Sequence, residues 1–272
     1  MPAREVYPNA PLQLVAAEWR YPMSPRLAMS AALAELHSLL ADILPIPEPV
    51  SEQKVAFASP DSPPELTSRQ FFRLTNRDKT LSASFMPTGT TVEATVYVHY
   101  EQFREVIERV VAALASYSAP VGLERVGLRY VDEIRVPSVT DSPGDWSRYI
   151  ADELLAAPRL GVAADGGLKP TSWRGLIEFD RENEFHLVLR YGVLEGFAVN
   201  PAGALRVPRG GATGPFFLVD IDSYWTPSES ISEFDPSALL SIFDELHAPV
   251  SAVFEEIITD DLRNDVLRKE AD

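Results

Sequence analysis

Residues 125–134 read Arg-Val-Gly-Leu-Arg-Tyr-Val-Asp-Glu-Ile, and their alternation decides how this chain folds. Val126, Leu128 and Tyr130 fall on one side of an extended segment, Arg125, Arg129 and Glu133 on the other. Successive side chains of a strand point to opposite faces, so the stretch predicts a strand with one apolar and one charged face. The same pattern recurs along the chain. Phe217, Val219 and Ile221 alternate with Leu218, Asp220, Asp222 and Tyr224; Phe185, Leu187 and Leu189 alternate with His186, Val188 and Arg190. In 91–99, Val92, Ala94, Val96 and Val98 alternate with Glu93, Thr95, Tyr97 and His99. An antiparallel sheet can bury one face and leave the other to water, and this pattern predicts that arrangement.

Working outward, Leu12–Tyr21 reads as a strand, and Ser24-Pro25 opens a helix over 26–42 that Pro45, Pro47 and Pro49 end. Strands follow at 53–58, 69–75, 80–86 and 91–99, then an amphipathic helix at 101–116 carrying Phe103, Ile107, Val110 and Leu114. Past Ser118-Ala119-Pro120 the order repeats: the strand from Arg125, a helix at 146–156, and a Gly/Ala-rich loop at 158–169. Strands then fall at 171–180, at 184–192, at either 194–199 or 204–208, and at 216–224. Asp235-Pro236 caps a helix over 236–258, and a short charged helix at 260–270 ends the chain. The expectation is an α+β fold of two βαββββα repeats, 1–120 and 121–272, forming a curved, mainly antiparallel sheet with helices on one face. That element order resembles the TATA-binding-protein-like fold class, a likeness of order alone.

Composition narrows the function. The 272 residues include no cysteine, which excludes disulfides, thiolate nucleophiles and cysteine-ligated metals. Met1–Pro11 has no apolar core of a secretory signal, and no apolar run approaches the roughly 18 residues of a membrane span. A cytoplasmic location without membrane attachment is expected. With 24 basic against 40 acidic residues the net charge is −16, which disfavours nucleic acid as a partner.

Several stretches resemble a sporadically distributed bacterial family of uncharacterised proteins: Tyr7-Pro8-Asn9-Ala10-Pro11-Leu12, Arg125–Ile134 with Pro137 and Trp146, Asp220-Ile221-Asp222-Ser223-Tyr224, and Leu246-His247 with Phe254-Glu255 and Ile258-Thr259. The likeness covers the whole chain and implies no activity, cofactor or catalytic residue. A patchy distribution implies horizontal transfer, with mobile or defence loci as the setting.

Two readings of the charged residues stay open. In the first, Arg125, Arg129, Arg190, Asp220, Asp222, Tyr97 and His99 line a polar concavity on the open sheet face, where a protein or a small anionic ligand binds. Arginines four residues apart on a strand stand roughly 13 Å apart and can hold two separated anionic groups. In the second, the same arginines and aspartates simply pair across strands. An enzymatic alternative uses Asp220-x-Asp222, with Glu178 and Asp180, to hold a divalent cation for phosphoester chemistry. His37, His99, His186 and His247 have no metal-ligand spacing, and no GxSxG, GxGxxG or GxxxxGK[ST] motif calls for a cofactor. Arg209–Gly214 is glycine-rich but precedes a strand, so it reads as a hairpin loop rather than a phosphate loop. The broad apolar surface of helix 236–258 packs on the sheet or forms a homodimer contact.

Overall fold

The computed structural model describes residues 5–56, 65–136, 143–159, 170, 172–208, 214–228 and 230–269. Nine strands form one sheet in which every pairing is antiparallel. In chain order they are β1 (Leu12–Arg20), β2 (Ile46–Ala56), β3 (Glu65–Thr75), β4 (Leu81–Met86), β5 (Gly89–Ala94), β7 (Arg125–Ile134), β8 (Trp173–Asp180), β9 (Phe185–Glu195) and β10 (Pro215–Trp225). Two short strands, β6 (Gly122–Leu123) and β11 (Ser232–Glu233), pair separately. The spatial order is β2-β3-β4-β5-β1-β7-β10-β9-β8, so the opening strands of the two halves lie side by side at the centre. Val15 faces Tyr130 and Arg20 faces Arg125 across that central pair.

The helices are α1 (Ala31–Leu40), α2 (Tyr100–Ser118), α3 (Pro143–Trp146), α4 (Pro236–His247), α5 (Val250–Ile257) and α6 (Asp260–Leu262). In α2, Phe103, Ile107, Val110, Val111 and Leu114 are buried in the predicted stripe. The Asp235 side chain accepts from the Ala238 amide at 2.7 Å, so the Asp-Pro start works as read. On the sheet side, Trp19 meets Phe243 of α4 edge-on at 5.9 Å, and Trp146 packs on Phe217 at 5.4 Å. Gln13, Val15, Ala17 and Trp19 of β1 are all buried, while Leu12, Leu14, Ala16 and Glu18 are half-buried. No helix of the described residues is long and apolar enough to cross a membrane.

Several elements differ from expectation, each for a local reason. The helix over 26–42 is a 3-10 turn, Pro25–Ala28, followed after a break by α1. Strand β2 begins at Ile46 and takes in Pro47 and Pro49. It lies at the sheet edge, and prolines two apart lack N–H groups on the same side, which an edge strand can turn to solvent. Strand 91–99 ends at Ala94, because its neighbour β4 begins at Leu81, directly opposite Ala94, and offers little ladder beyond. The region 146–156 is α3 followed by 3-10 turns at Asp152–Leu155 and Ala157–Arg159. Pro249 divides helix 236–258 into α4 and α5, since proline removes a backbone donor. The end of the chain is α6 and a π turn at Arg263–Leu267. In the second half, three long strands follow β7 among the described residues where four are expected: Phe185–Glu195 is one strand, and 204–208 is not a strand. The loop from 160 to 169 and the glycines at 210–211 lie outside the described residues.

Candidate functional site

Five of the seven candidate residues meet on one face. Alternation along β7, β9 and β10 turns Arg125, Arg129, Arg190, Asp220 and Asp222 the same way, opposite Tyr130, Leu189 and Ile221. Arg129 donates two hydrogen bonds to Asp220, Nε to Oδ1 and Nη2 to Oδ2, both 2.7 Å. Asp220 is almost wholly enclosed, its side chain 4% exposed, while Arg129 is 48% exposed. The bidentate fork holds the Arg129 guanidinium further above its ordinary pKa. Arg190 makes longer contacts, 3.8 Å to Asp220 and 4.0 Å to Asp222.

Arg125 lies at the other end of the row. Its guanidinium bonds Glu18 at 2.9 Å and Asp222 at 3.3 Å, and stands 4.8 Å from the Tyr224 ring centre. Gly127 makes this reach possible. A Cβ there would stand 2.5 Å from Arg125 Nη1, so the guanidinium occupies the space a side chain would take. Gly127→Ala is therefore expected to displace Arg125 and destabilise the chain by about 1 kcal/mol, the range of partly exposed ion pairs with a cation–π contact. In an Arg125→Ala background the same substitution should be close to neutral, which denaturant titration of the single and double variants measures. Equal losses in both backgrounds would place the clash in the backbone instead.

Tyr97 and His99 lie elsewhere. Beyond Ala94 the chain bends, the alternation lapses, and Tyr97 packs edge-on against Tyr130 at 5.8 Å, on the opposite side of the sheet from Arg129. The His99 side chain accepts from the Gln102 amide and caps α2. The seven candidates thus divide into five on one face and two on the other. Of the remaining histidines, His37 bonds the Pro45 carbonyl at 3.0 Å and His186 meets Asp180 at 2.7 Å.

On the arginine face a cavity of about 720 Å³ opens over β7, β8, β9 and β10. Its charged lining is Arg129, Arg174, Arg190 and Asp220, and its apolar walls include Leu14, Val131, Leu176, Leu194 and Leu218. Arg174 has no ion pair among the described residues. It shares the face of Arg190 through the pairing of Leu176 with Arg190, and positions 174, 176, 178 and 180 carried that parity in the sequence. One wall comes from the connection after β9, where Phe197 and Val199 reach the cavity. That wall is pinned: the buried Glu133 accepts from the Ala198 amide at 2.7 Å and from Arg135 Nε at 2.8 Å, and Arg135 also bonds the carbonyls of Gly196 and Gly214. No spacing rule ties 133 and 135 to 196–198, so this latch is invisible in the sequence.

The carboxylates do not converge on a common point. Glu178 pairs opposite Val188, which in turn faces Asp222, so a strand separates the two acids, and Asp180 is engaged by His186. Both Asp220 oxygens face Arg129. Among the described residues no group of three or more His, Cys, Asp or Glu side chains is placed to hold a metal ion. On the other half of the same face, burial raises the pKa of Glu93, and Arg73 lowers it in part. No protein-family model matches this chain, and no curated protein is similar to it.

Proposed function

We propose that the chain is a cytoplasmic, non-enzymatic binding protein whose open sheet face takes a small organic anion. The observation that carries this reading is the convergence of three guanidinium groups, Arg129, Arg174 and Arg190, against one aspartate in an apolar-walled cavity. Arg129 spends Nε and one Nη2 proton on Asp220, which leaves its remaining donors for a ligand. Arg174 has no ion pair among the described residues, Arg190 reaches Asp220 and Asp222 only at 3.8 and 4.0 Å, and a carboxylate or phosphate meets a guanidinium fork in two parallel bonds. The apolar walls favour an anion with a hydrocarbon part over a bare inorganic one. The net charge of −16 also makes a local arginine cluster stand out as a selective site rather than part of a basic surface. The same arrangement favours an anion over a divalent cation, because Asp220 and Asp222 already face arginines and Asp180 faces His186.

The strand order supports the duplicated architecture. β5, β4 and β3 continue outward from β1 as β10, β9 and β8 do from β7, which suits two copies joined into one curved sheet. Helices gathered on the side of Trp19 and Phe217 leave the arginine side for recognition. A defence or mobile-element setting fits a binding module of this kind.

Calorimetric titration with octanoate, benzoate and inorganic phosphate tests the site. At least one carboxylate should bind, more tightly than phosphate, and Arg190→Ala should weaken it about tenfold or more, the scale of one charge-assisted contact. Absence of heat from all three, or an unchanged affinity in Arg190→Ala, sinks the reading. Thermal melting of the variant in parallel separates loss of contact from loss of fold.

A further inference from the structure

The three arginines of the anion cavity do not gather at one point. Two of them meet on Asp220, Arg129 through its fork at 2.7 Å and Arg190 at 3.8 Å. Arg190 also leans to within 4.0 Å of Asp222, further along β10 from Leu218. Arg174 stands apart from both. It pairs opposite Gly192, which pairs opposite Leu218, so it lies two strands across and two residues along from Asp220. With about 4.8 Å between strands and 3.3 Å per residue, the Cα atoms of Arg174 and Asp220 are roughly 12 Å apart. Apolar side chains surround the interval: Leu176 and Leu218 from the sheet, Phe197 and Val199 from the connection after β9. The cavity therefore has a positive pole at either end of an apolar stretch.

The geometry points to an α,ω-dicarboxylate as the ligand class: two carboxylates joined by a hydrocarbon spacer. This specificity rests on the cavity binding an organic anion in the first place, and it narrows which one. Charge gives the first reason. Three guanidinium groups against one aspartate leave the lining at net +2, and a monocarboxylate answers only half of that. Distance gives the second. A headgroup that takes the spare donors of Arg129 and Arg190 sits at one pole, even where it carries both charges, as a phosphate ester does. A second carboxylate on a spacer meets Arg174, which has no ion pair among the described residues, in the two parallel bonds of a guanidinium fork. Between the poles, the apolar walls suit methylene groups. Arg174 then sets the specificity: Arg129 and Arg190 hold one end of either acid, and Arg174 separates a diacid from a fatty acid. It stands exposed on β8, an edge strand, where its side chain can follow the length of the spacer. A flexible spacer loses rotamer freedom on binding, which offsets part of the second contact.

Calorimetric titration of the full chain with suberate, octanoate and octyl phosphate, which share one chain length, provides the test. Suberate should bind about tenfold or more tightly than octanoate, the scale of one added charge-assisted contact less the ordering of the spacer. It should also bind more tightly than octyl phosphate, whose charges lie at one end. Arg174→Ala should erase the preference for suberate and cost octanoate much less, whereas Arg190→Ala should weaken both acids alike. Arg174→Gln, which keeps most of the length and removes the charge, should act as Arg174→Ala does, and it decides the matter if the alanine variant does not fold. Equal affinity for suberate and octanoate overturns the inference. So does equal or tighter binding of octyl phosphate, or a suberate preference that survives both substitutions at 174. Octanoate binding without that preference overturns the dicarboxylate alone, while no binding of any of the three removes the anion site with it.

Discussion

Arg129→Ala should destabilise the chain by about 2–3 kcal/mol, more than removal of any exposed arginine, because it strands a buried carboxylate. Asp220 is enclosed on a central strand, and Arg129 supplies both of its short hydrogen bonds. After the substitution only Arg190 remains near among the described residues, at 3.8 Å. Arg129 is itself half exposed, which places the expected loss at the lower end of the range for broken buried pairs. Asp220→Ala should be milder, since the arginines it releases can turn to water. The double variant should lose about 1–2 kcal/mol less than the sum of the singles, which is the coupling a double-mutant cycle reads. Strict additivity would show that the pair does not act as a unit. The same variants separate the two meanings of this row of charges. A structural role alone predicts loss of stability with carboxylate affinity retained; a binding role predicts that both fall together in Arg129→Ala, while Arg174→Ala loses affinity without stability.

How much of this was legible in the sequence depends on the range of the signal. Alternation is local, so it places Arg125, Arg129, Arg190, Asp220 and Asp222 on one face from the sequence alone. The sheet then had to choose register, and its register brings Arg129 within reach of Asp220 although Asp222 lies directly opposite. Alternation also holds only while a ladder lasts. Alternation from Glu93 puts Tyr97 and His99 on the arginine face, but β5 ends at Ala94 where its partner ends, and the alternation lapses there. Pro47 and Pro49 misled in the other direction. They read as a break, and an edge strand accommodates them. Pro249, by contrast, lies within a strong apolar stripe that reads as one helix, and it divides that helix.

The cavity was harder to see than the strands. Nothing near Glu133 and Arg135 announces that they fasten a connection some 60 residues later, and that connection forms one wall of the cavity on the arginine face. Asp132 sits one residue from Glu133, yet the two carboxylates serve opposite faces. Both are buried, and the sequence marks neither as such. Arg174 is legible in the same way: its parity with Leu176 and Glu178 puts it on the arginine face.

Gly192→Ala is expected to have a comparable effect, about 2–4 kcal/mol, from strain and steric overlap together. Gly192 lies within β9 with φ at +151°, a conformation that side-chain-bearing residues rarely adopt. A Cβ there would stand 2.1 Å from the Trp173 carbonyl oxygen and 2.9 Å from the Arg174 Cα. Both are backbone atoms of β8, so no side-chain rotation can relieve the overlap, and the edge strand itself must move. Gly196 supplies the control, since its φ is +92° but nothing lies within 4 Å of its Cβ position. Gly196→Ala should therefore show the backbone strain alone, and the excess at Gly192 the steric part. Because β8 carries Arg174 and Leu176, displacement of this edge should also weaken carboxylate binding at the cavity. Denaturant titration of both glycine variants measures the first difference, and calorimetry with octanoate the second. Equal losses at 192 and 196 would mean that β8 yields without resistance, and that the floor of the arginine cavity is not fixed by the contact between these two strands.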